Sequence, residues 1–315
     1  MTNPSATSRG RWQAFSVFAV ASLIAVASGA ITLARTGQPI GSWIRNPIAW
    51  LIGLVLALGV MRIRSLLPVS RVILGVAIVA VAGTFLAPAQ GGVHRWIDAG
   101  SLHINVAALL LPSAIVALAF CGIWSRLGFA FAGAMAALLV LQPDASQATS
   151  FLVAVLVLVS GSSAPRAGRI TAIAVVPLIA AISWTRPDAL QPVPEVEGIL
   201  GLAKAVSPAL AITAALALTA TFFAPLCIRN AAGTTPRIAA IALSSYFISA
   251  AICTNYGAFP VPLVGLGMSF PVGYWLGVAV LCAKGSFPNR SRLEQPDSET
   301  APPAGSSQPF APSHG

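Results

Sequence analysis

The sequence has few charged residues: they fill 8% of its 315 positions, against about a quarter in ordinary soluble domains. Apolar residues make up 57% of the chain, and its mean hydropathy is +0.84. Polar side chains are therefore too few to cover a water-soluble globule, and a chain this rich in apolar residues is not a disordered one either. The composition predicts a polytopic membrane protein.

The sequence also lacks the motifs of several common chemistries. Its four cysteines lie in separate apolar runs, which excludes a disulfide scaffold and a cysteine-rich zinc site. It has no phosphate-binding glycine-rich loop, serine nucleophile elbow, HExxH motif or paired CxxC, and we expect His94 and His103 to be interfacial residues, not metal ligands. The net charge of +10 comes from scattered cations, so we expect no nucleic-acid partner.

Charged residues and histidines divide the chain into apolar stretches suited to membrane-spanning helices, which need about 20 residues each. Eight stretches are long enough for one helix, and the stretch from Arg237 to Lys284 is long enough for two. The sequence therefore predicts an all-α bundle of about ten transmembrane helices. The eight single stretches lie between Arg11 and Arg35, Arg45 and Arg62, Arg71 and His94, His103 and Arg126, Arg126 and Asp144, Asp144 and Arg166, Arg169 and Arg186, and Lys204 and Arg229.

The distribution of charge predicts the orientation of the bundle. Cytoplasmic loops of membrane proteins carry an excess of Lys and Arg. With ten helices both termini lie on one side, and that side carries thirteen cations against five on the other. We therefore predict cytoplasmic termini, with binding or chemistry at the outer face. The acids outside the C-terminal tail all fall on that outer side: Asp98, Asp144, Asp188, Glu195 and Glu197.

Composition divides the chain into three parts. Residues 1–11 are a short N-terminal segment, and residues 12–284 form the transmembrane domain, with a large outer loop at about 186–204. Residues 285–315 are rich in proline and serine and predict a disordered cytoplasmic tail.

The first outer segment, residues 91–100, carries Arg95 and Trp96 between glycines. Arginine offers a bidentate fork for phosphate, and tryptophan suits the headgroup level of a bilayer. The same residues also fit a simple interfacial loop with an aromatic anchor and an ion pair between Arg95 and Asp98.

Asp144 ends the sequence Leu-Gln-Pro-Asp, at the outer edge of a predicted helix. An acid at the edge of a membrane segment is costly, which favours a functional role. Aspartate before an apolar run is also a common helix N-cap, so both interpretations stay open.

The long outer loop contains Arg186, Glu195 and Glu197, followed by an apolar Ile-Leu-Gly-Leu sequence. This pattern predicts a re-entrant or interfacial segment laid against the bundle. Glu197 borders the apolar part, where desolvation would raise its pKa toward the range of a general base. The alternative is a solvated acidic loop in which the glutamates pair with Arg186 and Lys204.

Taken in order, these segments resemble the signatures of the SEDS family (shape, elongation, division and sporulation) of bacterial membrane proteins. The family pattern Gly-x-x-Arg-Trp-Ile-x-x-Gly is matched at residues 92–100, and Leu-Gln-Pro-Asp at residues 141–144. A final family stretch, Asn-x-Gly followed by prolines, is loosely matched at residues 255–270, and we expect a structural role for these residues. One family motif is absent: Gln-Pro-Ser-Glu is replaced at residues 105–108. The resemblance covers about residues 10–284 and implies a ten-helix bundle in the bacterial cytoplasmic membrane.

The resemblance also implies an activity. SEDS proteins are lipid II polymerases, inverting glycosyltransferases that join lipid-linked disaccharide units outside the membrane in cell-wall synthesis. Their essential acid lies in the large outer loop at a place that Glu197 occupies here, so Glu197 is the expected catalytic base. The residues expected to bind substrate are Arg95, Trp96, Asp144, Arg186 and Glu195.

The expected partners follow from the same resemblance. They are the undecaprenyl-pyrophosphate-linked disaccharide (lipid II) and a class B penicillin-binding protein, which is a transpeptidase. The resemblance names no definite cofactor and leaves open a divalent cation, Mg²⁺ or Mn²⁺, to balance the charge of a leaving diphosphate. Two other functions stay open: a non-catalytic scaffold that binds lipid II and recruits a transpeptidase, and a flippase for lipid-linked precursors. The scarcity of charge inside the spans disfavours the flippase.

Overall fold

The computed structural model describes residues 4–100, 102–163, 166–228 and 233–286. Most of these residues are helical, and a two-stranded antiparallel sheet interrupts the helices once. Beyond Ser286, the tail predicted at residues 285–315 lies outside the described residues. The elements are α1 (Pro4–Arg35), α2 (Ile40–Trp43), α3 (Arg45–Val60), α4 (Leu66–Gly83), β1 (Trp96–Ala99), β2 (Leu102–Asn105), α5 (Val106–Cys121), α6 (Arg126–Leu141), α7 (Ala145–Gly161), α8 (Arg166–Trp184), α9 (Ile199–Val206), α10 (Pro208–Phe223), α11 (Thr234–Cys253) and α12 (Ser269–Cys282).

The helices confirm the prediction of an all-α membrane bundle with about ten spans. Six helical stretches of the described chain are long and apolar enough to cross a membrane, built on α1, on α2 with α3, and on α4, α8, α10 and α11. Helices α5, α6, α7 and α12 are apolar as well, but shorter. The short stretch from Arg45 to Arg62 gains its length from α2, because the helical segment already begins at Ile40. Helix α1 begins at Pro4, inside the predicted N-terminal segment, since proline suits the first position of a helix.

Helices α5 and α12 form the centre of the bundle. They pack against each other, α5 also packs against α4, and α12 also packs against α3. Most residues of both central helices are buried, as expected for helices that are apolar on every side. Helix pairs α7–α11 and α1–α10 complete the packing, whereas α8 lies at the periphery and buries little of its surface.

Three segments meet at one end of the bundle, which we call the loop face. They are the β1–β2 hairpin with the chain leading into it (residues 90–105), the α8–α9 segment (residues 185–198) and the α11–α12 loop (residues 254–268). In the hairpin Asp98 lies opposite His103, and Gly100 has the positive φ of 64° that its turn requires. Helix α9 begins with the apolar Ile-Leu-Gly-Leu sequence of the outer loop, and it packs against α1 and α10.

Candidate functional site

Arg95 is the centre of a buried ion cluster at the loop face. Its Nη2 donates hydrogen bonds to Asp188 Oδ2 and to the carbonyl of Pro143, and its Nε lies 3.4 Å from Asp144 Oδ2. The side chains of Arg95 and Asp144 are each 3% exposed, and that of Asp188 is 21% exposed. The cluster joins the hairpin, the α6–α7 junction and the α8–α9 segment by charge-assisted bonds, which are stronger than neutral ones.

Two aromatic rings enclose the same guanidinium. Its central carbon lies 5.8 Å from the ring centroid of Trp96 and 5.4 Å from that of Phe259. Cation–π contacts of this kind gain strength where water is excluded. Trp96 therefore contacts Arg95 directly, and the α11–α12 loop contributes Phe259 to the cluster.

Asp144 is the N-cap of α7, and its functional role stays a prediction. One carboxylate oxygen accepts a hydrogen bond from Gln147 N at 3.1 Å and caps α7, while the other faces Arg95. The alternative pairing of Arg95 with Asp98 is wrong. Asp98 instead contacts His103, directly across the hairpin at 2.6 Å, because both residues occupy its exposed face.

Asp188 is a member of the cluster that the sequence did not identify. Its Oδ2 accepts from Arg95, and its Oδ1 accepts from Leu190 N at 3.2 Å. Asp188 stands 93 positions from Arg95, so no local pattern links the two. The only local signal is an acid directly after Arg-Pro at the end of a helix.

Glu197 lies in a tight turn directly before α9. Val193 O accepts hydrogen bonds from the N–H groups of Val196 and Glu197, and the Glu197 carboxylate accepts from Val193 N at 2.6 Å. Partial burial raises the pKa of Glu197 above its ordinary value. The backbone N–H groups of Val193 and Glu197 and the charge of Arg95 oppose this rise, and the charge of Asp188 adds to it. Among the described residues Glu197 forms no ion pair with Arg186 or Lys204, so the alternative of a solvated, paired loop is wrong for this acid.

A cavity of about 330 Å³ opens between the three segments of the loop face. Three of the predicted site residues line it: Arg95, Trp96 and Glu197. The cavity joins this polar group to an apolar wall from the α8–α9 segment and the α11–α12 loop, a combination that suits a ligand with both charged and apolar parts. The other polar residues that line it are Arg45, Gln90, His103, Asn105, Gln191 and Ser269.

The remaining predicted residues lie around the cavity and not on its wall. Asp144 contacts Arg95 from behind. Glu195 accepts a hydrogen bond from Gln38 Nε2 at 2.7 Å, and Arg186 is exposed in the α8–α9 segment. Their predicted role in substrate binding stays a prediction.

Asn105 and Ser269 fix the helix ends beneath the cavity. Asn105 Oδ1 accepts from Ala108 N at 2.9 Å and caps α5, and its backbone N–H donates to Ser269 Oγ at 2.8 Å, at the start of α12. In the sequence, position 105 was notable only as the first of the four residues that replace the family's Gln-Pro-Ser-Glu. An asparagine before an apolar run is nevertheless the usual signal of an N-cap.

The described part of the chain offers no group of side chains that could bind the divalent cation allowed by the resemblance. No three His, Cys, Asp or Glu side chains come together there as they do in metal sites. Asp144 and Asp188 are both engaged with Arg95. The arrangement of residues does not fit a resident metal ion.

The fold matches solved structures of cell-shape proteins. The crystal structure of the Thermus thermophilus rod shape determining protein RodA superimposes with a TM-score of 0.58 at 18% identity, over 86% of this chain and 97% of that one. A chain from a peptidoglycan synthase complex, described as coordinating polymerization and crosslinking, superimposes with a TM-score of 0.59 at 19% identity, over 90% and 98%. The sequence itself matches no protein-family model and no curated protein. The chain therefore has the fold of RodA, a SEDS protein, as the order of its outer-segment motifs predicted.

Proposed function

We propose that this protein is a lipid II polymerase of the bacterial cytoplasmic membrane, with Glu197 as the general base. The observation that carries the proposal is that Glu197, whose pKa is raised by burial, lines the same cavity as Arg45 and Arg95. A general base needs a pKa near the working pH, and a lipid diphosphate needs cations close by. The RodA fold supports the same assignment.

The proposed reaction uses the residues of the cavity in order. Glu197 takes the proton of the 4-hydroxyl of the acceptor sugar, whose oxygen attacks the anomeric carbon of the growing lipid-linked chain. The bond from that carbon to the diphosphate oxygen breaks, and polyprenyl diphosphate leaves with the electron pair. Arg45, on the cavity wall, offsets charge on the diphosphate, while Arg95 fixes the geometry of that wall.

The two arginines differ in what they contribute. Arg95 already faces two carboxylates, Asp144 and Asp188, so its positive charge is locally compensated and its main effect is to fix the geometry of the cavity wall. Arg45 adds a second cation from the start of α3. Arg186, the other cation considered from the sequence, is exposed outside the cavity and is less well placed.

We also propose that the protein works with a crosslinking enzyme, a class B penicillin-binding protein. One of the similar structures belongs to a complex that coordinates polymerization and crosslinking. Assaying purified lipid II polymerisation with the protein alone and with such a partner tests both proposals. Glycan chains in either reaction support polymerase activity, and lipid II binding without polymerisation in both would support the scaffold function instead.

We propose that the loop face is extracytoplasmic, with cytoplasmic termini. Single cysteines at Ala99 and Ala189, both exposed at the loop face, should react with a membrane-impermeant thiol reagent added to intact cells. A cysteine at Ser163, exposed between α7 and α8 at the opposite end, should react only after permeabilisation. All three are made in a background without the native cysteines. Labelling of Ser163 alone in intact cells would reverse the orientation.

The acid limb of the pH profile should report Glu197. A general base acts only when it is ionised. Because the pKa of Glu197 is raised, the enzyme should lose activity at a higher pH than if an ordinary glutamate, whose pKa is about 4.3, were the base. We therefore expect kcat/KM for polymerisation to fall on acidification through a pKa clearly above that value. An acid limb at or below the pKa of ordinary glutamate would argue against this carboxylate as the base.

A further inference from the structure

Asn46 is a buried residue at the start of α3 whose side chain holds the α11–α12 loop. Its Nδ2 donates to the carbonyls of Gly265 at 2.7 Å and Leu263 at 3.3 Å, and its Oδ1 accepts from Gly267 N at 3.0 Å. Only 4% of its surface is exposed, and it does not line the cavity. One side chain thus satisfies three backbone groups of an irregular loop, which lacks the internal hydrogen bonds of a helix.

The loop backbone needs support at these positions. Leu263 has a φ of 65°, in the left-handed region that non-glycine residues rarely adopt. Gly265 approaches the carbonyl of Val196 so closely that a side chain at this position would overlap it. Val264 is fully buried and passes close to Gly29 of α1. The loop is therefore held in one specific conformation against the α8–α9 segment.

The same loop is bonded to the turn that carries Glu197. Val261 N donates to Val196 O at 3.1 Å, and Leu266 N donates to Glu195 O at 3.0 Å. The carboxylate of Glu197 is in turn held by Val193 N within that turn. A continuous series of hydrogen bonds thus leads from Asn46, through the loop, to the acid on the cavity wall.

We propose that Asn46 is a positioning residue, which fixes Glu197 at the cavity wall by holding the α11–α12 loop against residues 193–197. The catalytic part of this inference, that Asn46 supports the reaction by fixing Glu197, rests on the proposed function. Its structural part, the coupling of Asn46 to residues 193–197, stands independently of any activity. Asn46 contacts backbone groups of the loop, so it acts through the loop and not on the substrate.

Hydrogen–deuterium exchange tests the coupling on the full-length protein. Asn46→Asp keeps the size and the acceptor but loses the two Nδ2 bonds; Asn46→Ala serves as a second variant should the buried carboxylate prevent folding. Loss of hydrogen bonds of this kind should speed exchange about tenfold in residues 261–267 and also in residues 193–197. The matched control is Ser22→Ala, which removes the buried bond from Trp50 Nε1, one turn further along α3, and should leave both segments unchanged. Faster exchange at 261–267 alone would overturn the coupling.

Kinetics test the catalytic part of the inference. A base displaced from its reacting position costs up to about 10²-fold in rate, so kcat for lipid II polymerisation should fall by about 10- to 100-fold in the Asn46 variant while KM changes little. Ser22→Ala should keep the native kcat. An unchanged kcat in an Asn46 variant whose residues 193–197 exchange faster would overturn the positioning role. A Glu197→Gln variant that stays fully active would instead overturn the proposed function, and the exchange result would still decide the coupling.

Discussion

Glu197→Gln should abolish lipid II polymerisation in a protein that still folds and inserts. Loss of a general base costs about 10² to 10⁴ in rate, and glutamine keeps the size of the side chain and an oxygen that can accept from Val193 N. Glu197→Asp should retain measurable activity, because it keeps a carboxylate. The measurement is the rate of glycan formation from purified lipid II at equal amounts of folded protein.

Glu195→Gln is the matched control for this experiment. Glu195 stands two positions away, but it is held by Gln38 and lies off the cavity wall, so its substitution should have a much smaller effect. Equal loss in both variants would point to damage of the turn and not to loss of a base. Full activity in both would place the base elsewhere, with Asp144 as the next candidate.

Arg95→Met should destabilise the protein by about 3–5 kcal/mol, since it leaves the Asp144 and Asp188 carboxylates without their shared cation. The loss of stability in Arg95→Lys should be intermediate, because a lysine supplies the charge but not the planar guanidinium whose Nη2 binds both Asp188 and Pro143 while its Nε lies against Asp144. The loss of stability is measured by thermal unfolding of the detergent-purified protein. Both variants should also polymerise lipid II poorly.

Two further variants distinguish the effect of the ion cluster on stability from a general effect of removing an arginine. Arg186→Met changes an exposed arginine of the same face and should alter stability by no more than about 0.5 kcal/mol. A triple variant, Arg95→Met with Asp144→Asn and Asp188→Asn, removes the uncompensated charges and should regain much of the lost stability without regaining activity. A triple variant no more stable than Arg95→Met would show that the cluster does not stabilise through its charges.

The number and the general type of the helices could be predicted from the sequence because charge is scarce. Charged residues and histidines separate the apolar stretches, so about ten spans follow from their spacing. The exact ends depend on local chemistry that charge does not report. Pro4 starts α1 before Arg11, and α2 extends the second span ahead of Arg45.

The candidate site could be predicted only in part. Arg95, Trp96 and Glu197 were identified from motifs and from the apolar border beside Glu197, and the structure brings all three to one cavity. Asp188 and Asn46 could not be found in this way, because each acts on residues far along the chain. A buried polar side chain becomes informative only when the fold shows which groups it satisfies.

Polymerisation of purified lipid II, with wild-type protein and the Glu197→Gln variant side by side, tests the central claim most directly. Each protein is assayed alone and with a class B penicillin-binding protein, and the products are resolved by length. The account predicts glycan chains from the wild-type protein and a rate at least about 10²-fold lower from Glu197→Gln under the same conditions. The proposed role of Glu197 would be contradicted by equal polymerisation by the two proteins, or by no polymerisation by the wild-type protein both alone and with the penicillin-binding protein.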